Sequence, residues 1–391
     1  METEIRIETL EGWAAETYRL IDIREAAMQE YGMLPGAEAI RPEELAETLP
    51  REEDKKRVLY CTRGQYSREM TDTLRAQGFF EVYSLQGGYF GWLHHQMQKQ
   101  EAEQLAKRVE GSIQKKFHKK LWSRFTKAIR DYELVQEGDK IAVCISGGKD
   151  SMLMAKLFQE LKRHNKFAFE VEFLVMDPGY SPENRRVIEE NARNLQVPIR
   201  IFESNIFESV YTIEKSPCYL CARMRRGHLY HYAQELGCNK IALGHHYDDV
   251  IETILMGMLW GAQIQTMMPK LHSTNFPGME LIRPMYFIRE ADIQAWRDAN
   301  HLHFIQCACK FTDTCTTCNN EETKSKRMEV KALIRQMKKS NPGVENHIFR
   351  SVENVNLDTI IAYKKDRRKV HFLDEYDEKE ENPAQEQPEE N

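Results

Sequence analysis

Three groups of residues carry the chemistry this sequence offers. The first is Ser146-Gly147-Gly148-Lys149-Asp150-Ser151. Its adjacent glycines let backbone N–H groups converge at the start of a helix, where partial positive charge favours phosphate oxygens. Lys149 adds a mobile cation, and Asp150 adds a carboxylate able to hold magnesium. The second is Cys61, which opens the loop Thr62-Arg-Gly-Gln-Tyr-Ser67. Inward N–H groups in such a loop stabilise a thiolate or a persulfide anion. The third is a set of paired thiols: Cys218-Tyr-Leu-Cys221, Cys307-Ala-Cys309 and Cys315-Thr-Thr-Cys318. Thiolates at this spacing grip one metal from a single turn of backbone.

The flanking residues say how these groups are held. Lys140-Ile-Ala-Val-Cys-Ile145 reads as a buried strand and 152–161 as a helix, so the glycine loop joins strand to helix. It lacks the early glycine and the Ser/Thr after lysine of a Walker A loop, and the glycine spacing of a dinucleotide fold. Val171-Glu-Phe-Leu-Val-Met-Asp177 is a second strand, and Ser181-Pro182 caps and starts a helix. Third and fourth strands follow at 198–202 and 240–244. Strands alternating with helices predict a doubly wound parallel sheet that binds ligands at the carboxyl ends of its strands. Gly244-His245-His246-Tyr247-Asp248-Asp249 leaves the fourth strand at that edge, ahead of a helix over 250–260 with Glu252 in its first turn. These acids suit magnesium, and they equally suit a helix N-terminus.

Near the start of the chain, Tyr18-Arg-Leu-Ile-Asp-Ile-Arg24 is a strand and Gly32-Met-Leu-Pro-Gly-Ala37 a turn. Arg57-Val-Leu-Tyr-Cys61 is a strand that delivers the cysteine, a helix spans 68–77, and Val82-Tyr-Ser-Leu-Gln-Gly-Gly88 precedes Trp92. With 391 residues, two domains plus appendages are expected. They divide as 1–100, a connector at 101–135, a nucleotide domain at 136–330, helices within 331–373 (at 331–339 and 348–368) and a disordered tail at 374–391. The connector carries nine Lys/Arg against Glu110 between residues 107 and 130, with Phe117, Leu121, Trp122 and Phe125 at helical spacing. It reads either as an RNA-facing basic helix or as a linker that packs its aromatic stripe. The net charge of -6 includes nine acids and one lysine after Leu373, which leaves the remainder about +2. No window is apolar enough to span a membrane and no secretory start is present, so a cytoplasmic location is expected. Nine cysteines in that setting favour metal or sulfur chemistry over disulfides. Cys144 and Cys238 sit in apolar contexts and read as core.

Two resemblances sharpen these readings. Residues 18–92 resemble a rhodanese domain through the Leu-Ile-Asp-Ile-Arg strand, the Pro-Gly-Ala turn, the Cys-x-x-Gly-x-x-Ser loop and the Gly-Gly before Trp92. This implies that Cys61 carries sulfane sulfur, cradled by Arg63 and the loop amides. It also implies a persulfide donor upstream, such as a cysteine desulfurase. Gly32-Met33-Leu34 stands where relatives often have Gly-His-Ile, a change confined to the turn.

The Ser146–Ser151 loop resembles that of the ATP pyrophosphatases, which cleave ATP between its α and β phosphates. With Pro217-Cys-Tyr-Leu-Cys-Ala-Arg-Met-Arg-Arg-Gly227, Ile241-Ala-Leu-Gly-His-His-Tyr-Asp-Asp249, Pro269-Lys-Leu271 and Ile282-Arg-Pro284, the chain resembles the TtcA-type tRNA 2-thiocytidine synthetases. That family implies ATP and Mg2+ at Ser146, Gly147, Gly148, Lys149, Asp150, Ser151, His245 and Asp249, with Asp177 bordering the adenosine. It implies adenylation of the C2 oxygen of cytidine 32 in a tRNA, displacement of AMP by sulfur, and a [4Fe-4S] cluster on Cys218, Cys221 and Cys307. A homodimer is a further expectation. Relatives have Cys-x-x-Cys where this chain has Cys307-Ala-Cys309. The third ligand therefore lies between Cys307 and Cys309, and Zn2+ on Cys218, Cys221, Cys315 and Cys318 is the alternative. Another tRNA base, a small-molecule acceptor, or a non-catalytic redox or sulfur sensor are the competing functions.

Overall fold

The computed structural model describes residues 3–50, 54–164, 166–204, 217–305, 326–366, 368–374 and 376, with the backbone alone at 217–223. It divides into two units, Met1–Arg108 with Arg193–Gln196, and Val109–Ala192 with Val197–Asn391. Among the described residues no helix is long and apolar enough to cross a membrane.

In the first unit, strands β1 (Glu4–Ile5), β2 (Tyr18–Asp22), β3 (Ala37–Ala39), β4 (Lys56–Tyr60) and β5 (Val82–Leu85) pair in the order β1-β5-β4-β2-β3, all parallel. Leu20, Val58 and Tyr60 pack on one face with Ile5 and Leu85. Ile21 and Leu59 pack on the other with Leu45 and Leu74. Burial of both faces explains why β2 and β4 read as near-continuous apolar runs. Helix α1 (Gln65–Ala76) follows β4, and Gly64 precedes it at φ +90°.

The second unit is built on β6 (Lys140–Ile145), β7 (Glu170–Asp177), β8 (Ile199–Glu203), β9 (Lys240–Ala242), β10 (Lys270–His272) and β11 (Glu280–Ile282). Their order is β10-β11-β9-β6-β7-β8, parallel except for the β10–β11 pair. This is the expected doubly wound α/β sheet. Helix α2 (Gly88–Gln114) is followed by a π turn at His118–Trp122 and by α3 (Ser123–Asp131). The connector's aromatic stripe is buried, and Phe125 meets Phe158 edge-on at 5.4 Å. Helix α4 (Lys149–His164) is buried without a break from Ser151 to Phe158, as a helix apolar nearly all round must be. Helix α5 (Pro182–Asn194) starts as expected, with Ser181 Oγ accepting from the Asn184 N–H at 3.2 Å. The remaining helices are α6 (Pro217–Glu235), α7 (Tyr247–Gly261), α8 (Glu290–Ala299), α9 (Lys326–Ser340) and α10 (Val344–Ser351). Cys144 and Cys238 lie in the core beside Leu174 and Ile241, as expected.

Glu110, the one acid between residues 107 and 130, holds the buried Lys156 at 2.7 Å and Arg163 at 2.6 Å. Truncating one partner of a buried pair leaves the other charge in a poor solvent. Glu110→Ala should therefore cost about 3 kcal/mol in urea denaturation, and adding Lys156→Met should recover much of that loss. Additive losses in the double variant would contradict this account.

One expected element is different. The helix anticipated over 348–368 ends at Ser351, and the chain continues into a hairpin, β12 (Ala362–Lys365) and β13 (Arg368–His371). Val352, Asn354, Val355 and Asn356 are poor helix residues. Asn356 instead accepts from the Asp358 N–H at 3.0 Å, and Asp366 takes φ +49° in the hairpin turn.

Candidate functional site

Strands β7 and β8 lie to one side of β6, with β9 and β11 on the other, so the winding direction reverses between β6 and β9. Open α/β sheets bind ligands outside the carboxyl ends of their strands at such a reversal. The glycine loop leaves β6 there, and the Gly244 loop leaves β9. They meet closely, since a Cβ on Gly244 would lie 3.4 Å from Ser151 N. A cavity of about 360 Å3 lies at this point, lined by Ser146, Asp150, Ser151, His245 and Asp249 together with Met176, Tyr180, Arg225, Arg226 and Leu229.

The two loop glycines differ. Gly147 has φ +82°, and a Cβ there would lie 2.6 Å from Ile188 Cγ1 and 2.7 Å from Ile305 Cδ1. Both its conformation and its space demand glycine. A Cβ on Gly148 would meet nothing nearer than 3.7 Å, so space does not demand glycine at this second position. Ser151 Oγ ties the loop together, accepting from the Ser146 N–H at 3.1 Å and donating to the Gly148 carbonyl at 3.0 Å.

The cations and acids around the cavity form one network. Lys149 Nζ lies 3.1 Å from Asp150 Oδ2 and 3.4 Å from Glu290 Oε1, and Lys331 holds the other oxygen of Glu290 at 3.0 Å. Asp249 accepts from the His246 N–H at 3.0 Å, capping α7, and pairs with Arg327 at 2.9 Å. Burial pushes Glu252 up to about 7 against the pull of Lys331 and Arg327. Burial, reinforced by Arg283, pushes His245 down to about 4, so its imidazole is neutral at pH 7. Glu290, Lys331 and Arg327 carry no local sequence signal, because they belong to helices far along the chain.

Asp150 Oδ1 is buried and accepts no hydrogen bond among the described residues. Among the described residues no three His, Cys, Asp or Glu side chains form a ready metal cage. Magnesium needs none, because it binds through one or two carboxylates plus waters and phosphate oxygens. The unsatisfied oxygen of Asp150 at the edge of the cavity fits that pattern. Asp177 is committed elsewhere. Its Oδ1 accepts from the Gly179 and Tyr180 N–H groups at 2.8 and 2.6 Å, and Arg185 holds Oδ2 at 2.6 Å. Its neighbours Met176 and Tyr180 line the cavity in its place.

Cys218 and Cys221 fall in the first turn of α6, outside the residues with described side chains, and Cys307, Cys309, Cys315 and Cys318 lie outside the described residues altogether. The same helix carries Arg225 and Leu229, which line the cavity.

In the first unit, Cys61 Sγ accepts from the Gly64 and Ser67 N–H groups at 3.2 and 3.4 Å. Burial would raise its pKa, but the Ser67 hydroxyl and the Ser67, Arg63 and Gly64 amides outweigh it and hold the thiol below its ordinary value. A Cβ on Gly88 would lie 2.2 Å from the Cys61 carbonyl, which accounts for the Gly-Gly pair. A second cavity, about 1010 Å3, opens onto Cys61, Arg63, Arg24 and Tyr66.

Fold and loops together define a PP-loop domain in a chain that also carries a rhodanese-like domain. The PP-loop domain family matches residues 113–313 and the rhodanese-like domain family matches residues 8–95. A tRNA-cytidine(32) 2-sulfurtransferase from Acaryochloris marina is 37% identical over 62% of this chain and 83% of its own length. One from a Janthinobacterium species is 33% identical over 61% and 74%. The U34-tRNA thiolase NcsA from Methanococcus maripaludis, solved with its [4Fe-4S] cluster, aligns over 60% of this chain and 79% of its own at 20% identity and a TM-score of 0.47. The chain belongs to the PP-loop family of ATP-dependent sulfurtransferases that the first two relatives represent.

Proposed function

We propose that this protein thiolates C2 of cytidine 32 in tRNA, in the cytoplasm, using sulfur carried by its own Cys61. The observation that carries the reading is the shared cavity. The glycine loop and Asp150 border one space with Arg225 and Leu229 of α6, the helix whose first turn holds positions 218 and 221, and this supports a reading in which nucleotide activation and thiol chemistry work together.

In this reading the Gly148 amide, Ser146 and Ser151 hold the pyrophosphate of ATP, with Lys149 and Asp150 at its Mg2+-bearing edge. His245 and Asp249 border the nucleotide, and Asp177 shapes the turn that presents Met176 and Tyr180 to it. The cytidine C2 oxygen attacks the α-phosphorus and pyrophosphate leaves. Sulfur then adds at C2, the C–O bond breaks, and AMP departs with that oxygen. Neutral His245 neither repels the cationic base nor competes for phosphate. Cys218, Cys221 and either Cys307 or Cys309 would hold a [4Fe-4S] cluster, which would supply sulfide activation, while Cys315 and Cys318 would complete a zinc set with Cys218 and Cys221 instead. Release of sulfane sulfur from Cys61 as hydrosulfide consumes two electrons, which a thiol reductant supplies.

Full-length protein prepared anaerobically should form AMP, pyrophosphate and 2-thiocytidine in equal amounts from tRNA, ATP and a persulfide donor. Nucleoside mass spectrometry reads the product, and iron, sulfide and zinc analysis reads the metal. Thiolation of a uridine, or AMP formation indifferent to tRNA, would overturn the assignment.

A further inference from the structure

The hairpin β12–β13 belongs to neither large sheet. Its register sets Lys364 opposite Lys369 and Lys365 opposite Arg368. Like charges directly opposite one another destabilise a ladder, and a lone two-stranded hairpin is marginal in water to begin with. All four cations are exposed, and none has an ion-pair partner among the described residues. Successive residues of a strand face opposite sides, so each face of the ribbon carries one cation pair. At its base, Phe372 and Tyr376 are 47% and 59% exposed, with rings 6.3 Å apart.

We infer that this hairpin is a tRNA-binding element, its four cations facing backbone phosphates and its basal aromatic rings available to unstacked bases. The inference rests on the tRNA reading above. A polyanion removes the repulsion that the register builds in. The charge on both faces selects among polyanions: a membrane offers one plane and neutralises one pair, whereas a folded RNA presents phosphates on more than one side of an inserted ribbon. Basic residues beside exposed aromatic rings are the usual composition of such surfaces.

The test compares full-length wild type with the K364Q/K365Q/R368Q/K369Q variant, using an unmodified tRNA transcript by fluorescence anisotropy at several salt concentrations. Removing like-charge pairs should leave the melting temperature unchanged or higher, so loss of fold does not confound the result. Expected are a Kd for tRNA at least about 30-fold weaker and a log Kd against log salt slope smaller by about 3, from the loss of up to four phosphate contacts. In turnover, KM for tRNA should rise while kcat at saturating tRNA holds. Equal affinity and slope in the two proteins would overturn the inference, as would tighter binding by the variant, which would mean that the cations serve the acidic residues after Leu373. Loss of binding to phosphatidylserine vesicles with tRNA binding intact would also overturn it. If wild type itself neither binds nor thiolates tRNA, the proposed function has failed and not merely the role of the hairpin.

Discussion

Asp150→Asn should lower tRNA-dependent AMP formation by about 10²–10³-fold, the scale of removing one preorganised electrostatic group from a reacting centre. The substitution keeps the shape of a side chain whose Oδ1 is buried with no hydrogen bond among the described residues and whose Oδ2 lies 3.1 Å from Lys149. What it removes is the charge that a cation on the pyrophosphate would meet. Asp177→Asn is the matched control. Burial raises the Asp177 pKa, but the Tyr180 and Gly179 amides and Arg185 outweigh it, so the carboxylate is held below its usual range. Its stabilisation is therefore present at neutral pH and is lost as pH falls through that depressed value. Asp177→Asn should flatten the acid limb of the stability curve and leave AMP formation within about tenfold, because the carboxylate acts on its own turn. Chromatographic quantitation of AMP across a magnesium titration separates the two. Should Asp150→Asn keep more than a tenth of wild-type activity, the carboxylate is not where the metal sits.

Much of this arrangement is legible in the sequence because its determinants are local. An apolar run ended by two glycines can only be a strand feeding a tight loop, and Gly147, at φ +82° against Ile188, shows why one of them is fixed. The Cys61 loop is legible for the same reason, since the amides that reach the sulfur lie within six residues of it. What escaped is what comes from afar. The clamp of Glu290 on Lys149 joins residues 141 positions apart, and Lys331 joins it from another helix. Strands β10 and β11 span three residues each, too few to show a period. The hairpin over 362–371 reads as helix in the sequence because basic residues tolerate both, and the turn at Asp366 decides between them. Asp177 shows a different limit: sequence places a carboxylate at a strand end without telling whether its oxygens face a ligand or its own turn.

Cys61→Ala should cut thiolation from a persulfide donor by about 10²-fold or more and leave thiolation from free sulfide unchanged. A carrier on the same chain as its acceptor reaches an effective concentration up to about millimolar where the tether spans the two sites, against the micromolar level of a separate donor, and the difference sets the size of the loss. The sulfur is prepared for the role. Two amides point at it, and the hydrogen bonds around it overcome the burial that would otherwise keep it protonated, so more of it is thiolate at neutral pH. Ser67→Ala should give an intermediate loss with persulfide, since the hydroxyl that leaves Cys61 also ties the Gly64 carbonyl at 3.1 Å and meets Ser84 at 2.8 Å. Both variants keep the nucleotide cavity intact, so AMP formation driven by sulfide is the internal standard in each assay. Equal losses with the two sulfur sources would mean that Cys61 supports the fold and carries nothing, and the first domain would then need another purpose than supplying the second.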